Sequence, residues 1–384
     1  MQKLLARAIL FAALCLVAAS ASAQVGLTGG ARLSAIYDVI LQARADQAQL
    51  DLEQACPPAP RPACLALSSA ALWWKIQIDP NDRSHDAELE RTARSAIVEA
   101  DAWTKREPSR AEAWFYLAGA YGPLVQLKVL RGERVSAARS ATTIKAALER
   151  ALALDATMQD AWFGVGLYHY LAGVAPTAAK FLRWLLLMPG GDRVEGLREM
   201  ERARSGAVLL LGEADYQMHW LYLWYERQPE RALALLRGLD ARYPSNPVFL
   251  QRIAEIQRDS LRDAEASRAT WQALVTRADN RQVEFAATAA VRARVGLAEA
   301  LLSLSQPRDA VDLLEPLATR RPTAPYGASA RIHVALARAY QQLGDRDRAQ
   351  RAFDAAMSSA PADDPDDIRR RARAEAARLR AQRE

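Results

Sequence analysis

The chain has 384 residues and carries little of what catalysis needs. It has 3 cysteines and 4 histidines. His85, His169, His219 and His333 form no His-Glu-x-x-His pair and no close cluster, which argues against a metal centre. No Gly-x-Ser-x-Gly elbow offers an acyl-transfer serine. Gly190-Gly191-Asp192 lacks the following lysine and Ser/Thr of a phosphate-cradling P-loop, so it reads as a turn with Asp192 capping the next helix. Acidic pairs such as Asp263/Glu265 and Asp363/Asp364 fall on loops or exposed faces. Sustained period-2 alternation is missing, which excludes a sheet protein. The apolar run Ala8–Ala19 is too short for a comfortable membrane span. No catalytic residue, metal or cofactor is expected, and the chain is read as a non-enzyme.

Lysine is also scarce. Only Lys3, Lys75, Lys105, Lys128, Lys145 and Lys180 stand among 51 basic residues. The arginine and alanine excess points to a GC-rich bacterial genome. The net charge of +6 is mild for a chain that is 25% charged, and hydrophobic residues at 51% can build a large core. Lys3 and Arg7, the apolar run, and Ala21-Ser22-Ala23 before Gln24 are ordered like a secretory signal peptide over 1–23. An uncleaved N-terminal anchor is the alternative. Cys15 follows Leu14 rather than a small residue, so lipidation is not expected. Export, most simply to a periplasm, then favours a disulfide between Cys56 and Cys64 in the proline-rich turn of an N-terminal cap over 24–108. Free thiols are the alternative there.

What the chain has is a recurring helical pattern. Taking Ala349 as anchor, Phe353, Ala356 and Pro361 fall at +4, +7 and +12. Ala310 repeats those offsets with Leu314, Leu317 and Pro322, and Ala232 with Leu236, Leu239 and Pro244. Leu336, Ala337 and Tyr340 precede the last unit as its first helix. About sixteen helices are read. The first is a single run near Leu33–Gln54, the next spans Ala63–Ile78, and a third covers Asp86–Lys105. These residues resemble the tetratricopeptide-repeat (TPR) superfamily, a 34-residue helical hairpin. In that pattern the small anchor lets two helices approach closely, the aromatics fill the space between them, and proline ends the second helix. The resemblance implies an all-α, right-handed α-solenoid over 109–361, and binding of a protein or peptide partner on its concave face. The Gly166…Tyr168-x-Tyr170 start and the Pro-Gly-Gly-Asp-Arg end of an insertion at about 173–192 resemble a sub-group with exported bacterial members and relatives linked to mitochondria and lipid droplets.

Two surfaces are candidates for binding. Tyr222, Tyr225 and Arg227 belong to an aromatic group too dense for one helix face, so some should reach the groove or the outside. The segment 176–188 forms a short apolar helix in which Phe181, Trp184 and Leu186 could meet a membrane or a ligand. Ordinary core packing is the alternative for both. The tail over 362–384 runs from Asp363, Asp364, Asp366 and Asp367 to Arg369, Arg370, Arg371 and Arg373, which suits a capping helix whose charges match its dipole. Export argues against nucleic acid as its target. The reading is an exported, non-catalytic scaffold, with a peripheral membrane or lipid-binding protein as the alternative.

Overall fold

A computed structural model describes residues 26–175 and 190–381. The signal-like segment 1–23 and the apolar segment with Phe181, Trp184 and Leu186 lie outside the described residues. Among the described residues every regular element is helical. The order is α1 (Gly30–Leu41), α2 (Ala45–Ala55), α3 (Arg61–Ile78), α4 (Asp86–Arg106), α5 (Ala111–Leu130), α6 (Arg134–Leu154), α7 (Gln159–Val174) and α8 (Arg193–Arg204). Then come α9 (Leu211–Trp220), which runs on into a π-helical turn (Leu221–Tyr225), α10 (Pro229–Arg242), α11 (Pro247–Asp259) and α12 (Ala264–Asp279). The chain ends with α13 (Ala286–Ser303), α14 (Pro307–Arg320), α15 (Ala328–Gln342), α16 (Arg346–Ser359) and α17 (Ile368–Ala381). Each helix packs mainly on the next one or two in sequence, the contact pattern of an α-solenoid.

The repeat anchors explain the hairpins. Ala232, Ala310, Ala337 and Ala349 have no exposed surface, and Leu336, Tyr340 and Phe353 are buried beside them. An alanine at the crossing keeps two helices close enough to bury both faces. Pro244, Pro322 and Pro361 stand just beyond the ends of α10, α14 and α16. Asp192, Asp263 and Asp345 cap α8, α12 and α16, each accepting a backbone N–H from the first turn. Ile368, Ala372, Ala376 and Leu379 bury one face of α17. Asp364 accepts from the free amides of Ile368 and Arg369 at its start. Cys56 and Cys64 form a disulfide (Cα–Cα 6.5 Å) that ties the end of α2 to the start of α3.

The expected single helix near Leu33–Gln54 is two helices. Ala43 adopts φ 63° and breaks the run. The Leu41 and Gln42 carbonyls freed at the break accept from Asn246 (2.8 Å) and Ser245 (2.9 Å). Partners some 200 positions away therefore replace the helical bonds.

These long-range bonds belong to a larger arrangement. Tyr37 and Trp74 donate to Glu213 on α9, and Tyr243 donates to Asp38 (2.6 Å). Trp74 packs its ring on Tyr216 (centroids 4.7 Å apart) and Phe249 (5.8 Å). Tyr216 donates to Gln77. Arg292 on α13 donates to the Ile78 carbonyl and pairs with Asp79 (3.1 Å). The Asp79 carboxylate also accepts from the Tyr326 amide (2.6 Å), and Asn81 donates to Asp366 (3.1 Å). The first two hairpins thus lie along the first helices of the later ones. Residues 37, 38, 74, 77–79 and 81 are thus engaged by later hairpins of the chain itself.

Candidate functional site

Two features stand apart from ordinary packing. The first is the end of α9. The π turn inserts one residue into the helix and so rotates every later side chain about its axis. Trp224 and Tyr225 end up 65% and 50% exposed, among the most exposed large side chains described. Trp224 stacks on Trp220 (6.2 Å, 14° between planes), and the Arg252 guanidinium covers the Trp220 ring. Tyr225 meets Tyr170 edge to face (6.0 Å). Below them Glu226 accepts from Tyr170 and is clamped by Arg193, which holds its carboxyl below the usual carboxylate range. Arg227 sits at φ 54° and is exposed. Trp224 is therefore backed by Trp220, and Tyr225 by Tyr170.

Tyr222, expected on this surface, is buried (3% exposed) and is not part of it. Its hydroxyl donates to Glu201 (2.7 Å), Arg231 covers its ring, and burial together with Glu201 pushes it up to about 12. The extra residue of the π turn separates it from Tyr225. Trp224, which helical periodicity alone did not single out, takes its place.

His219 lies inside the same helix, and its Nδ1 hydrogen-bonds the Tyr216 carbonyl. Burial lowers it to about 3, and the nearby Arg252 guanidinium adds to that. The unfolded chain binds this proton near pH 6.5, so it holds more protons than the folded chain between those values. The stability His219 contributes in its neutral form is complete above pH 6.5 and is lost as pH falls, by ~2 kcal/mol at pH 5. Thermal melts should show wild type losing stability from pH 7 to pH 5 faster than His219→Leu. Parallel losses in the two would contradict this assignment. His169 pairs with Glu199 (2.8 Å).

The second feature is a cavity of ≈ 590 Å³ between α3, α5, α6, α7 and the start of α9. Its wall is almost wholly apolar, with Leu67, Phe115, Ile144, Leu148, Phe163 and Leu167 prominent. Two acidic groups face it, and both are fully engaged. Glu213 accepts from Tyr37, Trp74, Gln126 and Gln217, and Asp160 accepts from the amides of Val208, Leu209 and Leu210. The α5 wall breaks local rules. Gly119 and Gly122 line the cavity in mid-helix, and a Cβ at either would meet nothing within 4 Å. Each glycine costs about 1 kcal/mol against alanine, and no packing contact requires it. Pro123 lacks the N–H that the Gly119 carbonyl would otherwise accept. Of six buried side-chain polar atoms without a partner among the described residues, three belong to lining residues: Trp73 Nε1, Tyr116 Oη and Gln126 Oε1. In the sequence, the signal for this wall was a Gly-Ala-Tyr-Gly-Pro run inside an otherwise apolar helix.

Among the described residues no group of three or more His, Cys, Asp or Glu side chains is placed to hold a metal ion. No described helix is long and apolar enough to cross a membrane.

No protein-family model matches the chain, and no curated protein matches it. Several solved structures are similar in fold. The Cut9–Hcn1 hetero-tetramer of the APC/C aligns over 85% of this chain and 58% of its own, at 15% identity and a TM-score of 0.39. The human IFIT1 dimer with m7Gppp-AAAA aligns over 82% of this chain and 65% of its own, at 13% identity and 0.41. The P58(IPK) TPR domain aligns over 83% of this chain and 99% of its own, at 12% identity and 0.22. The chain spans less than two thirds of the first two, and all three TM-scores lie below 0.5.

Proposed function

We propose that this chain is an exported, non-catalytic scaffold of the tetratricopeptide-repeat kind, and that it binds a protein or peptide partner at the end of α9. The observation that carries this reading is the exposed pair Trp224–Tyr225, fixed by the π turn and by the Tyr170–Glu226–Arg193 network. Large aromatics presented rigidly lose little entropy on binding and make good anchors. The exposed guanidinium of Arg227 adds a contact for a carboxylate of the partner. Trp74, Asp79 and Asn81 are already engaged by later hairpins of the chain, whereas Trp224 and Tyr225 are exposed. Export is supported by the order of residues 1–23 and by the Cys56–Cys64 disulfide, a bond that persists in oxidising compartments.

The test is co-purification from the source organism at native expression, comparing wild type with Trp224→Ala, Tyr225→Ala and Arg227→Glu. Each exposed change should leave the melting temperature nearly unchanged. Specific partners retained by wild type should fall by ~10-fold or more with Trp224→Ala, the equivalent of a central aromatic anchor. Partners that remain at wild-type levels in all three variants would refute this surface.

A further inference from the structure

We infer that the cavity between α3, α5, α6, α7 and α9 is a binding site for a single-chain amphiphile: one acyl chain inside, with an anionic head at the mouth. This goes beyond the partner surface at α9 and uses different residues. The interior suits an acyl chain better than a peptide. A peptide segment brings a backbone N–H and C=O with every residue, and an apolar wall leaves them unsatisfied. An acyl chain has none to satisfy. The volume of ≈ 590 Å³ lies within the range of small-molecule sites.

The charges place the head. Glu213 and Asp160 are saturated by hydrogen bonds within the protein and repel an anion at the inner end. The cationic lining residues are Arg134 and Arg139, both exposed on α6. Neither has an ion pair among the described residues. A carboxylate or phosphate there gains two guanidinium partners while its chain leaves water. The cost to the fold is concentrated on this same wall. Gly119 and Gly122 leave open space along α5 where alanine would fit and strengthen the helix, and Pro123 adds to the deficit. Departures from local preference that gather at one cavity without a packing reason are the mark a ligand site leaves in a sequence.

The test uses the full chain and a long-chain polyene fatty acid whose fluorescence rises in apolar surroundings. Saturable one-to-one binding, displaced by an unlabelled fatty acid, is expected for wild type. Gly122→Phe fills the channel, and Gly119→Leu does so by a smaller step. Both should bind at least ~10-fold more weakly with no fall in melting temperature. Arg134→Glu with Arg139→Glu should weaken the fatty acid and a lysophosphatidic acid several-fold and leave a fatty alcohol of equal length unchanged. The ratio of fatty acid to lysophosphatidic acid affinity then tells which head is preferred. Three results would overturn the inference. One is no saturable binding. Another is unchanged binding in both glycine variants. The last is displacement by an apolar helical peptide but not by fatty acids. None of these results bears on the Trp224 surface.

Discussion

Trp74→Ala should lower the stability of the chain by ~3–5 kcal/mol, the largest loss expected from any one substitution here. The side chain is 1% exposed and packs between Tyr216 and Phe249, side chains of two later hairpins. Its removal opens a cavity where α3 meets α9 and α11. It also takes away one of the four donors that satisfy Glu213. A buried carboxylate with a missing partner adds its own desolvation penalty. The effect should be read by chemical denaturation followed by circular dichroism. Hydrogen exchange should rise in α3 and in α9 together, because one contact holds both. A loss below ~1 kcal/mol, or exchange confined to α3, would mean that the first hairpins rest loosely on the solenoid.

Arg292→Ala is expected to cost about 3 kcal/mol, the low end for breaking a buried pair, since Arg292 and Asp79 keep 16% and 17% of their side chains exposed. Burial pulls the Arg292 guanidinium down from its ordinary value, and Asp79 works against that. Without the arginine, Asp79 retains the Tyr326 amide, and the Ile78 carbonyl loses its donor. The paired variant Asp79→Asn with Arg292→Leu should recover part of the loss, because no charge is then left without its partner. Exchange should increase around residues 76–83 and 324–331 in the single variant. A single variant as stable as wild type would show that Arg292 does not fasten residues 78 and 79 to α13.

Much of the architecture was legible because it is periodic. Ala232, Ala310 and Ala349 with their trailing prolines mark hairpins that the structure contains, and Asp192 reads as a cap from one turn of sequence. Contacts without a period were not legible. Trp74 with Tyr216, Asp79 with Arg292, and Asn81 with Asp366 join positions 142, 213 and 285 apart in sequence, and nothing local announces them. The break at Ala43 was missed for the same reason, since its carbonyls are satisfied from Ser245 and Asn246. At the end of α9 the aromatic cluster was visible and its register was not. A π turn shifts every later side chain by one position, so Tyr222 faces inward and Trp224 outward. The cavity had a signal in Gly119, Gly122 and Pro123, but only the fold shows that the glycines face open space.

The most direct measurement is photocrosslinking in the source organism, with a reactive side chain at position 224 and, as a control, at Val98, which is 68% exposed on α4. The scaffold account expects discrete protein adducts at 224 that vanish when Arg227→Glu is added, and none of the same mass at 98. Adducts shared by both positions, or none at 224, would contradict it.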